Sequence, residues 1–179
     1  MTAAELNAES VVLSPYAPQH DRQTVTWLST EELRNTFGIT RVVTLESHRR
    51  WVEAAKDTLA WAIVVPEGRH CGNVLLHCNL NHRSAYFQMY LGDPTARGRG
   101  VGKRVVVAIL DHAFAALALH RVWLHTVAGN NAAERLYRGA GFVEEGLERE
   151  SILRASRFES QLRWSILADE WKRRRKGEA

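Results

Sequence analysis

The stretch Arg97-Gly98-Arg99-Gly100-Val101-Gly102-Lys103 decides the fold. It follows the apolar run Ser84–Leu91 and opens a second apolar segment, from Val101 to about Leu119. A strand, a glycine turn and a helix in that order put the turn at a helix N-terminus. Glycines at alternate positions let a ligand approach the backbone with no Cβ in the way. The amides of a first helical turn lack partners within the helix, and the helix dipole favours negative charge there. Such a turn suits phosphate. Arg97, Arg99, Lys103 and Arg104 surround it with positive charge.

Spacing separates the phosphate-binding readings. A P-loop needs four residues between its glycines and a Ser or Thr after its lysine; Gly98 and Gly102 enclose three, and Arg104 follows Lys103. A dinucleotide turn needs G-x-G-x-x-G and an acidic residue about 20 positions on, near position 120, and neither is found. What remains is R-x-x-G-x-G, filled by Arg97, Gly100 and Gly102, or a glycine-rich turn that binds nothing.

A second segment decides between these. Val127, Asn130, Ala133, Leu136, Tyr137, Gly141 and Phe142 follow the loop in a pattern close to V-x-x-x-N-x-x-A-x-x-L-Y-x-x-x-G-F, one residue tighter between Val and Asn. Asn130 and Tyr137 are two helical turns apart and share a face. With both motifs in place, the chain resembles the GNAT superfamily of N-acetyltransferases, strongly over Ser84–Phe142 and loosely elsewhere.

The resemblance implies an α/β GNAT fold with a mixed, mostly antiparallel central sheet flanked by helices. The sheet is expected to splay between its fourth strand, Ser84–Leu91, and its fifth, Arg121–Val127. It also implies acetyl-CoA as cosubstrate and no metal. Met89, Tyr90 and Leu91 would offer backbone groups to the pantetheine arm, and Arg97, Gly98, Arg99, Gly100, Val101, Gly102 and Lys103 would hold the pyrophosphate. Asn130 would contact the coenzyme or order its helix start. Tyr137 would protonate the departing thiolate.

The attacking amine must be neutral, so a base must take a proton from it. Many relatives place a Glu early in the strand before the loop, but Tyr86-Phe87-Gln88-Met89-Tyr90 contains none. Glu46, His48, His77 and Asp93 are the candidates. His48 ranks first for its neutral-range pKa, with the alternative that it is a helix-face histidine of no catalytic use.

The acceptor pocket is expected from the N-terminal helices, with Trp27, Arg34, Glu46 and Trp51 as substrate contacts. The pattern Trp27-x5-Leu33 followed by Leu45-Glu46-x-His48-x-x-Trp51 looks like acetyltransferases of nucleotide-linked 4-amino sugars. That makes an amino sugar the expected acceptor. A protein N-terminus, as in ribosomal-protein acetyltransferases, and polyamines or other small amines are the alternatives; a coenzyme-A-binding sensor without turnover is a remote one. Trp27 and Trp51 as plain helix anchors is the competing reading.

Elsewhere the chain punctuates clearly. A first strand is expected at Ser10–Leu13, and helices at Pro18–Leu28, Thr30–Phe37 and about Leu45–Lys56. Thr58–Val65 and Arg69–Asn79 form a hairpin around Pro66-Glu67-Gly68, and a short helix runs from Asn130 to about Gly139. Phe142–Leu153 and Arg157–Leu167 make a final strand pair.

With 179 residues, 45% hydrophobic and 25% charged, the chain suits one globular domain, expected over 1–170, with a basic tail at 171–179. Lys172–Lys176 supplies the basic excess; a solvated, frayed tail is expected there, and a nucleic-acid contact is not. Nothing in the sequence resembles a membrane span or a secretion signal, Glu5 and Glu9 standing where such a signal would be basic, so a cytoplasmic location is expected. Cys71 and Cys78, on one strand, would lie on opposite faces roughly 23 Å apart, too far to pair. A homodimer through sheet edges is possible by the resemblance.

Overall fold

The computed structural model describes residues 2–8 and 10–177. It contains β1 (Leu6–Ala8), β2 (Val11–Pro15), α1 (Asp21–Leu28), α2 (Glu31–Thr36), α3 (Leu45–Ala54), β3 (Thr58–Val64), β4 (His70–Asn79) and β5 (Ser84–Leu91). There follow α4 (Val101–Asp111), β6 (Arg121–Val127), α5 (Asn131–Ala140), β7 (Val143–Arg154), β8 (Arg157–Leu167) and α6 (Ala168–Arg175). The strands form one sheet in the order β1-β2-β3-β4-β5-β6-β8-β7. Every described ladder is antiparallel except β5–β6.

Alternation along the strands gives the sheet two working faces. In β6, Val122, Leu124 and Thr126 are buried toward one face, where Val105, Ile109, Trp164 and Ile166 complete the main core with α4 and α5. The core is satisfied as well as packed: the buried Trp164 indole donates to Thr126 Oγ1 at 2.9 Å. Each fully buried aliphatic side chain there contributes about 1.5–3 kcal/mol. The opposite face, carrying Asn73, Gln88 and Tyr90, lies under α1–α3.

Local chemistry sets the helix ends. Thr30 Oγ1 accepts from Leu33 N at the start of α2, and Thr44 with Ser47 forms a capping box on α3. Gly141, at φ +98°, ends α5 in the left-handed conformation that only glycine adopts without strain.

Four expectations need correction. Strand β1 precedes the expected first strand, and β2 runs through Pro15, two residues past the expected end at Leu13. The α-helix after the loop stops at Asp111 and continues as a π-helical turn, His112–Ala116. Cys71 and Cys78 do not lie on opposite sides of the sheet: both join the main core. The β3–β4 register slips between Ile63 and Val64, and the extra residue at Cys71 reverses the alternation. Finally, the Lys172–Arg175 run is helical, anchored by Trp171, whose buried indole donates to Asp111 Oδ1 at 2.9 Å. Residues 178–179 of the expected tail lie outside the described residues.

Candidate active site

The glycine loop has the geometry its sequence implies. Gly98 and Gly100 adopt φ of +71° and +76°, and a Cβ on Gly98 would meet nothing within 4 Å. Gly100 caps α4 without any side-chain bond, and the first helical bond is Arg104 N to Gly100 O at 3.2 Å. The Val101, Gly102 and Lys103 amides therefore stand ahead of the helix's own ladder, at its positive end. Met89 and Leu136 pack beside Gly102. Arg97 plays a different part. Its guanidinium donates twice to the Leu91 carbonyl, at 3.2 and 3.0 Å, and once to Glu32 Oε1 at 2.6 Å. Arg97 thus braces the loop against β5 and α2, and the Leu91 carbonyl is already engaged. Arg104 in turn donates to the Arg99 carbonyl at 2.9 Å.

The parallel ladder between β5 and β6 is short. It pairs Ser84 with Arg121, Ala85 with Val122 and Tyr86 with Trp123. Beyond Tyr86 the strands part, so the Met89–Leu91 edge of β5 faces a gap rather than β6. Tyr137 comes to this gap from the core side: its ring meets Phe87 and Phe142 edge-on, at 6.1 and 5.5 Å. Burial raises its hydroxyl pKa well above the ordinary phenol value, and the nearby Tyr86 adds to the effect. The hydroxyl is therefore protonated at neutral pH. Asn130 Oδ1 accepts from Ala133 N at 3.2 Å and so caps the helix that carries Tyr137.

On the other face a cavity of about 410 Å³ opens between α1–α3 and strands β3–β5. Leu28, Phe37, Ile39, Val43 and Val52 form its apolar wall; Tyr16, His48, Asn73, Gln88 and Tyr90 its polar one. None of the lining residues is an Asp or Glu. The polar side is pre-organised. Asn73 Nδ2 donates to Thr24 Oγ1 at 2.8 Å and to the Tyr90 hydroxyl at 2.6 Å. His48 Nε2 sits 2.8 Å from the Tyr16 hydroxyl and 3.5 Å from Asp21 Oδ1, while its ring stacks on Trp51. Burial lowers the His48 pKa, outweighing the opposite pull of Asp21.

The structure brings together some of the expected side chains and separates others. His48 and Trp51 line the cavity. Trp27 does not; it is buried, edge-on to His70 at 4.7 Å, and covers Gly92. Arg34 Nε reaches the Ile39 carbonyl at 3.4 Å, closing the turn after α2. Glu46 points to solvent near Arg50. Of the other candidate bases, His77 is held between Thr58 and Gln88, at 2.8 and 2.9 Å. Asp93 caps the turn at Thr95 and pairs with Arg69. The sequence reading missed Tyr16, Thr24 and Asn73, whose only sequence signal is the alternation of a strand or a helical face.

Comparison with known proteins agrees with this geometry. The model of the family described as "Acetyltransferase (GNAT) domain" matches residues 10–143. The chain is 35% identical over 97 residues to a spermidine N(1)-acetyltransferase of Vibrio cholerae, covering 54% of this chain and 56% of that one. It is 40% identical over 57 residues to the N-alpha-acetyltransferase RimI of Mycobacterium tuberculosis, covering 32% and 34%. The matched regions thus span about half the length of the spermidine enzyme and about a third of RimI. Among solved structures, the Vibrio cholerae spermidine N-acetyltransferase in complex with CoA and spermine superposes with a TM-score of 0.86 at 23% identity, covering 91% of this chain and 98% of that one. Among the described residues no helix is long and apolar enough to cross a membrane. A glycine loop at an open helix end, a sheet parted beside it and a family match across both are one result: the chain belongs to the GNAT acetyltransferase family.

Proposed function

We propose that this protein transfers the acetyl group of acetyl-CoA to the primary amine of a small molecule. The observation that carries the reading is the gap between β5 and β6, with Tyr137 on one side of the sheet and the lined cavity on the other. Acetyl-CoA fits what is present: the amides of Val101–Lys103 suit its pyrophosphate, and the free edge of Met89–Tyr90 suits an amide-bearing arm. The cosubstrate supplies the activated thioester. The chain positions the amine in the cavity, excludes water with the apolar wall, and offers the Tyr137 hydroxyl to the departing sulfur.

For the acceptor, the spermidine acetyltransferases among the relatives support a polyamine or similar small amine over the nucleotide-linked amino sugar expected from the N-terminal pattern. One observation favours keeping the amino sugar as a second reading. A polycation is recognised by carboxylates, and the cavity lining has none. An uncharged sugar body suits a wall of Tyr16, Asn73, Gln88 and Trp51 better.

Thiol release from acetyl-CoA separates these readings, with spermidine, a nucleotide-linked 4-amino sugar and a short peptide with a free N-terminus as acceptors. Turnover with spermidine supports the polyamine reading, and turnover with the sugar alone reverses it. Acetyl-CoA binding without turnover on any acceptor would defeat the enzymatic reading and leave a sensor.

A further inference from the structure

His125 belongs to neither the glycine loop nor the cavity lining. Tyr86 and Trp123 are the last β5–β6 pair, and Tyr86 shares its face of the sheet with Gln88 and Tyr90 of the cavity wall. His125 lies two residues past Trp123, so it faces the same side, at the first position where the strands have parted. Its ring lies 5.7 Å from that of Tyr86 and 5.4 Å from that of Trp123. Phe87, the next residue of β5, turns to the other face and meets the Tyr137 ring at 6.1 Å. The imidazole and the Tyr137 phenol thus flank one opening from its two faces.

Its partners are arranged for holding positive charge. Glu148, reaching over from β7, places Oε2 3.1 Å from His125 Nε2 and Oε1 3.1 Å from Arg163 Nε on β8. Neither nitrogen makes a well-aligned hydrogen bond, and the Glu148 carboxylate lies 3.1 Å from each. Arg163, the ladder partner of His125 on β8, also lies over the Trp123 ring at 4.9 Å. The groups facing the imidazole are therefore Tyr86 from β5, Trp123 from its own strand, Arg163 from β8 and Glu148 from β7. His125 is mostly covered, with 14% of its side chain exposed. His48, by contrast, has Nε2 committed to Tyr16 and Asp21 in the cavity wall.

We propose that His125 is the proton acceptor for the incoming amine and that Glu148 is its positioning residue. This rests on the acetyl-transfer reading above. The ammonium gives one proton to the imidazole, directly or through one water, and Glu148 balances the imidazolium that forms. The neutral nitrogen attacks the thioester carbonyl carbon; the C–N bond forms as the C–S bond breaks, the nitrogen gives its second proton to water, the sulfur takes one from Tyr137, and the imidazolium then returns its proton to solvent. Tyr137 is reprotonated from solvent, and the balance is one amide, one free thiol and one proton released.

The test is the pH dependence of kcat/KM for the acceptor in wild type, His125→Ala, Glu148→Gln and His48→Gln, with acetyl-CoA affinity measured by calorimetry. Wild-type thiol release above a no-amine blank checks the acetyl-transfer reading first; its absence sinks that reading and this proposal with it. Given turnover, His125→Ala is expected to lose about 100-fold in kcat, to keep its acetyl-CoA affinity, and to recover rate with rising pH as free amine becomes abundant. Glu148→Gln is expected to shift the acidic limb, because it removes the carboxylate 3.1 Å from the imidazole. A purely structural Glu148 would lower the rate without moving the limb. His48→Gln is expected to raise KM and leave the limb in place. The proposal fails if His125→Ala stays within threefold of wild type, or if His48→Gln is the variant that abolishes the limb.

Discussion

The Arg97 guanidinium lies 2.6 Å from the Glu32 carboxylate, joining the loop before α4 to helix α2. Phe37, the C-cap of α2, lines the cavity, so this one ion pair links the glycine loop to the cavity wall. Both groups are partly exposed, which limits the pair to about 1 kcal/mol or less. Glu32→Gln is accordingly expected to raise the acceptor KM by about fivefold at most, with acetyl-CoA affinity unchanged. Arg97→Ala also loses its hold on the Leu91 carbonyl and should weaken both. Calorimetry with acetyl-CoA, alongside acceptor kinetics, distinguishes the two variants.

Tyr137→Phe keeps the ring that packs on Phe87 and Phe142 and removes only the hydroxyl. The expected outcome is a kcat lower by about 10²-fold with acetyl-CoA affinity and thermal midpoint close to wild type. An unchanged kcat would remove Tyr137 from the reaction and leave it as a core aromatic.

Stability should decline at both ends of the pH scale, because burial disfavours the charged form of groups that ionise in opposite directions. Burial raises the Tyr137 and Tyr16 hydroxyls above their ordinary value of 10.0, and Tyr90 to about 12. A raised group contributes stability in full below the unfolded value and loses it as pH climbs toward the folded one. The urea midpoint is therefore expected to fall above pH 10. Burial lowers His20, His48 and His70 below 6.5, so their contribution is present above that pH and is lost as pH falls through their folded values. Urea titrations from pH 5 to pH 11 read both limbs, and a flat profile would contradict the burial of these groups.

Gly92→Ala tests the packing role of Trp27. A Cβ at Gly92 would run into the Trp27 indole, which has Tyr90 and His70 against its other sides. Overpacking of this kind costs about 1–3 kcal/mol, so the unfolding midpoint should drop. Wild-type stability in this variant would mean that Trp27 moves aside freely and is no fixed packing element.

Trp171→Ala should cost about 3–5 kcal/mol, because its buried indole fixes α6 to Asp111 at the end of α4. Arg174 of the same helix donates to the Gly139 carbonyl near the C-terminus of α5, the helix that carries Tyr137. The variant is expected to lower kcat as well as stability. Denaturant unfolding and turnover measured on the same sample check the pair.

Two local patterns were enough to place the chain in its family. Alternate glycines before an apolar helix fix a turn that exposes amides whatever surrounds it, because the requirement is for backbone without Cβ. The spacing of Asn130, Ala133, Tyr137 and Gly141 fixes a capped helix with its stop, so that α5 and the presence of Tyr137 on it follow from neighbours in sequence. Strands β5, β6 and β8 were legible to the residue.

The tertiary structure alone decided what the side chains do. Arg97 looks like a phosphate ligand in sequence, and only the approach of α2 shows its charge spent on Glu32 and Leu91. Trp27 and Trp51 are both helix aromatics; packing on His70, Tyr90 and Gly92 buries the first, while the second, 46% exposed, stays at the cavity mouth. The Cys71 bulge reversed an alternation that no local rule foretold. His125 and Glu148 lie 23 positions apart, and their meeting depends on β8 lying between β6 and β7 in the sheet. Backbone geometry and helix caps are settled by residues within a turn of one another, so the sequence determines them directly. Charge pairing, burial and the identity of a base depend on which segments the sheet order brings into contact, and that is fixed only when the whole chain has folded.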